Sequence, residues 1–253
     1  MPVKERDIMG GLAKGLKVIE AFSAERPRLS IAEAAEIAGL DRATTRRCLL
    51  TLSELGYAAY DGKFFTVTPR ILRLGTGCLA TMPLPRIVQP TLDRLSEEIG
   101  QSTSVSILDE WEIVYVARAA QSRVMSIALM PGSRLPAYCT SMGRVLLAAQ
   151  TDEKAAQLLE ASPRIARTER TVTEIAALMA ALDEVRQHGF ATINQEVETG
   201  LRSIAVPLHT SRGKTIAALN VGLAATAEPM TAIVERYLPA LLKTQAELAA
   251  MLA

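Results

Sequence analysis

Residues 30–55 read SIAEAAEIAGLDRATTRRCLLTLSEL, and this stretch decides how the N-terminal part of the chain folds. Ser30 is placed to cap a helix, and Glu33, three residues later, completes a capping box. Ala34, Ala35 and Ala38 are small enough for a second helix to pack closely. Gly39 stands where a helix ends in a left-handed residue. Asp41 caps the next helix, with its carboxylate at the positive end of the dipole. On that helix Thr45, Cys48, Leu49, Leu52 and Leu55 recur at helical spacing and form one face. Arg42, Thr44, Arg46, Arg47 and Thr51 fall mainly on the other. Arginine is common on exposed helices, so a solvated face is the plain alternative. Turn, caps and basic face agree on a helix-turn-helix whose second helix faces DNA.

The flanking sequence extends this unit. Gly56-Tyr57-Ala58-Ala59-Tyr60 and Lys63-Phe64-Phe65-Thr66-Val67 read as two strands around Asp61-Gly62, a strong hairpin signal. A hairpin after a recognition helix is a wing, and Lys63 beside its tip is the natural phosphate contact. Candidate DNA contacts are therefore Ser30, Arg42, Thr44, Arg46, Arg47, Thr51 and Lys63. On the N-terminal side, residues 1–10 read as a flexible arm. Leu12, Leu16, Ile19 and Phe22 mark a first helix packed beneath the helix-turn-helix. Glu25-Arg26-Pro27-Arg28 reads as a loop.

Pro69 suits the first turn of a further helix, with Ile71, Leu72 and Leu74 (and Leu79 less clearly) as its apolar side. Met82-Pro83-Leu84-Pro85 ends it. It reads as a linker helix or as the last helix of the first domain. The expected division is 1–68 for the winged helix-turn-helix, 69–84 for the linker, and 85–253 for a second, effector-binding and oligomerisation domain.

Composition narrows the function classes. The chain has 253 residues and is 49% hydrophobic, which suits one large or two ordinary packed domains. No apolar run is long enough to span a bilayer. The start, MPVKERDIMGG, reads as lacking a signal peptide. Cys48, Cys78 and Cys139 are widely spaced and odd in number, which argues for a reducing cytoplasm and against both disulfides and zinc. The formal net charge is +1. Residues 1–75 carry 12 Lys+Arg against 9 Asp+Glu, and the remainder 16 against 18. The positive excess lies with the helix-turn-helix, as DNA binding requires.

From Arg86 onward the pattern alternates. Ile87, Leu92, Leu95 and Ile99 mark a helix closing at Gly100. Strands are expected over Thr103–Leu108, Glu112–Ala117, Met125–Met130, Phe190–Asn194, Ser203–His209 and Thr215–Val221. Helices are expected over Ser141–Ala149, Asp152–Glu160, Val172–His188 and Pro229–Leu252. This is an α/β domain on a mostly antiparallel sheet, and the fold class of the whole is α+β. His188 and His209 have no Ser or Cys partner at recognisable spacing, and there is no glycine-rich phosphate loop. No catalytic residue, cofactor or metal is expected. An enzyme acting on a small acid is the remote alternative.

Three motifs of the second half carry a resemblance. They are Leu135-Pro136-Ala137-Tyr138-Cys139-Thr140-Ser141-Met142-Gly143-Arg144-Val145-Leu146-Leu147-Ala148; Asn194-Gln195-Glu196 leading to Gly200-Leu201-Arg202-Ser203-Ile204-Ala205-Val206-Pro207; and Ala218-Leu219-Asn220-Val221. With the winged helix-turn-helix and linker they make the chain resemble the IclR family of bacterial transcription regulators, over essentially its whole length. The wording is most similar to the branch regulating the β-ketoadipate pathway, whose members respond to protocatechuate, para-hydroxybenzoate or β-ketoadipate. The resemblance implies a GAF-like effector domain, a homodimer or tetramer, operator DNA, a small aromatic or dicarboxylic acid effector, RNA polymerase as a further partner, no membrane, and a cytoplasmic location. An IclR-type repressor of another carboxylic-acid pathway is the alternative. Asn194 stands where this branch is expected to carry Asp, and Ser203 where many members carry Cys.

The residues then suggest a pocket. The N–H groups of Ser141, Met142 and Gly143 open a helix and form an anion site, unless Thr140 or Ser141 simply caps it. Gly143 lets a ligand or neighbouring strand come close. Arg202 pairs either with a ligand carboxylate or with Glu196, and Ser203 adds a hydroxyl. Asn194 and Asn220 need polar partners in strands that otherwise want apolar residues, supplied by a ligand or by the core. Tyr138 and Trp111 are candidates to stack on an aromatic ring, or to serve the core.

Overall fold

Ser30 accepts the Glu33 N–H through its hydroxyl while its own N–H donates to the Glu33 carboxylate, so the capping box forms as the sequence requires. In this computed structural model, which describes residues 4–23, 25–121 and 129–252, that box opens helix α2. The chain divides into two compact units, Met1–Ala80 and Thr81–Ala253.

In the first unit, α1 spans Gly10–Glu20, strand β1 Arg28–Leu29, α2 Ile31–Ala38, α3 Arg42–Glu54, β2 Ala58–Tyr60, β3 Phe65–Val67 and α4 Leu72–Thr81. Gly39 ends α2 at φ +62, a left-handed conformation that glycine adopts without the Cβ penalty. Asp41 caps α3 by accepting the Thr44 N–H at 2.8 Å, and that bond holds its carboxyl below the usual range. Val18, Leu29, Ala34, Leu49, Ala58 and Phe65 form the core.

Three expectations need correction. Leu12, Leu16 and Leu55 are exposed (61%, 46% and 53%). Helix α1 buries Val18 instead, and its Leu12–Leu16 side faces an apolar groove shared with Cys48, Leu52 and Leu55 of α3. Arg28–Leu29 is not loop but a strand pairing with β3; two residues are too few to show alternation. The wing's loop is Asp61–Phe64 rather than two residues. The Asp61 carboxylate accepts the N–H groups of Lys63 and Phe64, so the returning strand starts only at Phe65. Within the stretch read as an arm, Glu5–Asp7 form a short 3₁₀ turn, and residues 1–3 lie outside the described residues.

In the second unit, α5 spans Pro83–Ile99, β4 Ser102–Asp109, β5 Glu112–Ala119, β6 Arg134–Pro136, α6 Ser141–Ala148, α7 Asp152–Ala161, α8 Ile175–His188, β7 Ala191–Asn194, β8 Leu201–His209, β9 Thr215–Ala224 and α9 Met230–Ala249. The helix break falls at Met82, and the prolines that end α4 also begin α5. Pro83 and Pro85 occupy its first turn, where no N–H needs an intrahelical acceptor. The strand read over Met125–Met130 falls largely on residues 122–128, outside the described residues. Arg134–Pro136, not anticipated, pairs with β5 at one edge.

The sheet runs β6-β5-β4-β9-β8-β7, antiparallel throughout. One face carries Val105, Ile204, Val206, Leu219 and Val221 against α5 and α9. The other carries Ile113, Ala205 and Ala218 against α6, with α8 behind it. This second face is partly polar. On β4, Ser106 donates to the Met142 sulfur of α6 while Thr103 donates to Leu92 of α5, so Ser102, Ser104 and Ser106 share the α6 side.

Candidate functional site

The basic side of α3 is the first candidate. Arg42, Arg46, Arg47 and Thr51 are exposed, and Thr44 is half-buried. Among the described residues none of the three arginines pairs with a carboxylate. Their charge is free for a polyanion. Thr51 donates to the Arg47 carbonyl at 2.8 Å, so its hydroxyl proton serves its own helix. Ser30 is engaged by the capping box. At the wing, the Lys63 ammonium lies 5.1 Å and the Arg28 guanidinium 4.8 Å from the Phe64 ring centroid. Two cations thus share one ring beside the tip. Arg28 was missed because β1 reads as a loop.

The second candidate is a cavity under the start of α6. Its walls include Ser102, Tyr115, Arg118, Leu129, Leu135, Thr140, Ser141, Met142, Val197, Leu201, Ser203, Asn220 and Gly222, and it holds about 30 Å³. Four residues singled out by sequence (Ser141, Met142, Ser203 and Asn220) meet here. The Ser141 and Ser203 hydroxyls bond to each other at 2.8 Å. Asn220 is 8% exposed, and its Oδ1 is buried without a hydrogen-bond partner.

The other four lie elsewhere. Arg202 pairs neither with Glu196 nor with the cavity. Its Nε donates to Asn194 Oδ1 at 2.8 Å and its Nη1 to the Glu228 carbonyl at 2.5 Å, because Asn194 and Arg202 are opposite in the β7–β8 register. The partner of Glu196 is Arg144, at 2.7 Å with both side chains 9% exposed. Tyr138 is buried in the core, where its hydroxyl donates to the Ile165 carbonyl at 2.5 Å. Trp111 is not in the wall either. The Gly143 N–H is taken by the Thr140 hydroxyl at 3.1 Å, so the cap reading holds for that donor. The first two N–H groups of α6, those of Ser141 and Met142, have no intrahelical acceptor.

What approaches Gly143 is backbone. A Cβ there would overlap the Ala137 carbonyl and Cα and the Thr140 hydroxyl. Gly143→Ala is expected to destabilise the second unit by about 1–3 kcal/mol, because backbone cannot yield as a flexible side chain does. An unchanged thermal midpoint would refute this close fit.

Tyr115 and Arg118 are among the wall residues that carried no sequence signal. Partner assignments along β4 jump from Ala117 to Tyr115 between Val105 and Ser106. This β-bulge at Val116 brings residues three apart onto one face. The Arg118 guanidinium donates to Ser104 at 3.0 Å, and among the described residues it has no carboxylate partner. Burial lowers its pKa and raises that of Tyr115, which therefore stays neutral. The Cys139 thiol is pushed up to about 11 by burial, so it is no nucleophile at neutral pH. The cavity joins one cation and a helix start, which suit a negative charge, to an orphan acceptor, which suits a hydrogen-bond donor such as a hydroxyl.

Comparison with known proteins places this geometry. The family model for the C-terminal domain of the bacterial transcriptional regulator IclR matches residues 76–249, and that for the IclR helix-turn-helix domain matches 11–62. The chain belongs to the IclR family. It is 41% identical to the Pca regulon regulatory protein of Pseudomonas putida, over 96% of this chain and 84% of that one. It is 36% identical to the p-hydroxybenzoate hydroxylase transcriptional activator of Acinetobacter baylyi, over 97% and 93%. Among solved structures, it is 33% identical to the inducer-binding domain of a double mutant of PobR from Acinetobacter, in complex with 3-hydroxybenzoic acid. That match has a TM-score of 0.62 and covers 66% of this chain and 98% of the domain. The Pca regulon and p-hydroxybenzoate hydroxylase regulators are transcriptional regulators of the branch to which the motifs of this IclR-family chain point. Among its described residues no helix is long and apolar enough to cross a membrane, and no group of three or more His, Cys, Asp or Glu is placed to hold a metal.

Proposed function

We propose that this chain is an effector-responsive regulator of aromatic-acid catabolism genes, feeding the β-ketoadipate pathway. It grips a palindromic operator as a dimer or tetramer through α3 and the wing. A small aromatic acid bound under α6 controls it, and RNA polymerase is the partner that reads the outcome. The observation that carries the effector part is Asn220. A buried acceptor without a partner costs about 1–3 kcal/mol, and a ligand donor at that oxygen recovers it. One relative is a p-hydroxybenzoate hydroxylase activator and another was solved with 3-hydroxybenzoic acid bound, which supports the ligand class.

The cavity's volume adds a mechanism. About 30 Å³ is room for water and well short of the roughly 300–1,000 Å³ of an ordinary ligand pocket, so an aromatic acid enters only as the walls rearrange. That rearrangement is the differential interaction through which binding alters DNA affinity. Calorimetric titration with 4-hydroxybenzoate and protocatechuate tests the reading. At a hundred times its dissociation constant the ligand adds about 2.7 kcal/mol of stability. In Asn220→Leu the affinity falls about tenfold, while the free protein melts no lower, because the orphan acceptor is gone. If neither acid, nor any related one, binds or raises the midpoint, the effector reading fails.

Oligomerisation is proposed to use α4. Leu72 and Leu74 are 67% and 53% exposed, and the stripe that Leu74 forms with Ile71, three residues before it, needs a cover. The double variant Leu72→Glu, Leu74→Glu should sediment as a monomer or aggregate. An intact, soluble oligomer would show that the stripe is no interface.

A further inference from the structure

We infer that Arg118 fixes the charge class of the effector: the cavity is built to pair one carboxylate with this guanidinium and to reject acids that carry two. The inference rests on the effector cavity proposed above and adds to it the residue that selects.

Among the described wall residues Arg118 is the one ionised side chain; the others are hydroxyls, an amide, a thioether, a neutral tyrosine, aliphatic groups and glycine. Two described cations of the same unit have other partners, and a third, Arg167, donates through its Nε to the Val197 carbonyl. Arg144 is bound to Glu196, and Arg202 to Asn194 and the Glu228 carbonyl. A second ionised carboxylate would meet no full positive charge among the described wall residues, and beside Asn220 it would meet Oδ1 unless the amide turned over to present its N–H groups. Burying an unpaired charge is costly, and a lone-pair-to-lone-pair contact adds to it.

The sheet register sets where the two ends of a ligand go. Ser104 stands opposite Arg118 on β5 and opposite Asn220 on β9. The three residues therefore form one row across neighbouring strands, about 4.8 Å apart per strand. The bond from Arg118 Nη1 to Ser104 Oγ leans the guanidinium over β4, toward Asn220. A small acid spanning that row puts its carboxylate at Arg118 and a hydroxyl at Asn220, where the hydroxyl donates to Oδ1. The N–H groups of Ser141 and Met142 roof the site and add partial positive charge without a second full one.

The test compares 4-hydroxybenzoate, its neutral isostere 4-hydroxybenzamide, and the diacid β-ketoadipate on the full-length protein by calorimetry. The wild type should bind the monoacid at least about tenfold more tightly than either alternative, as a charge-assisted pair demands. In Arg118→Met the acid-to-amide ratio should fall to about one, with affinity for the amide retained, and Arg118→Lys should recover part of the acid preference. A merely structural role would lower both affinities together and leave the ratio unchanged, and that result overturns the assignment. Binding of β-ketoadipate by the wild type as tight as that of the monoacid overturns it without any variant, so a misfolded Arg118→Met does not shelter it. If the wild type binds none of the three, the effector reading itself falls with it.

Discussion

Replacing Arg42, Arg46 and Arg47 together with alanine is expected to reduce operator affinity by at least about three orders of magnitude. Each arginine that reads a base contributes about 1–3 kcal/mol, and each that neutralises a phosphate adds to the salt dependence. The fold should survive the change. Alanine is the best helix former, the Asp41 cap is untouched, and α3 is anchored by Thr45 and Leu49 on its other side. The three positions are not equivalent. Arg47 lines the groove against α1, whereas Arg42 and Arg46 do not. Arg47→Ala should relax base preference, as expected of a side chain that reads a base. Lys63→Ala and Arg28→Ala, at the wing, should weaken all sequences alike and flatten the salt slope. Fluorescence anisotropy with operator and scrambled DNA at several salt concentrations separates these outcomes. An unchanged operator affinity in the triple variant would be incompatible with α3 as the recognition helix.

The first unit was legible because its signals are local. A capping box, an N-cap and a left-handed glycine each act within four residues, and all three occur where the sequence puts them. The second unit was legible as strands and helices but not as a site. Gly143 and Thr140 interact within one turn, yet sequence could not say that the close neighbour was Ala137 backbone. Arg202 was singled out for its motif, and the register gives it to Asn194. Arg118 was hidden for a definite reason. Strict alternation from Tyr115 sends residue 118 to the opposite face, and only the bulge at Val116 brings it round. A one-residue irregularity, invisible to periodicity, thus decides which cation enters the cavity.

Arg144→Met is expected to be the most damaging single change in the second unit. The Arg144 guanidinium donates to Glu196 at 2.7 Å and to the Tyr138 carbonyl at 3.1 Å. The same Glu196 carboxylate accepts the Val172 N–H at 3.2 Å, and the Glu196 carbonyl accepts the Thr171 hydroxyl at 2.6 Å. One ion pair therefore ties α6, the turn before it, the loop between β7 and β8, and the segment leading into α8. Removing the arginine leaves a buried carboxylate with one N–H for company, which costs about 3–5 kcal/mol. In a unit of this size that lowers the thermal midpoint by on the order of 10 °C. Removing both charges, as Arg144→Met with Glu196→Leu, should recover much of the loss, since the single variant's penalty is the stranded charge rather than the net worth of the pair. The pair also adjoins the cavity: Ser141 and Met142 start the helix that carries Arg144, and Val197 follows Glu196. Effector affinity should therefore stay impaired in the double variant even as its midpoint rises, because the loop holding Val197 has lost its tether to α6. Thermal denaturation and ligand titration of the wild type, the single and the double variant read both effects. A single variant that melts with the wild type, or a double no more stable than the single, would show that the pair is not the clamp its geometry describes.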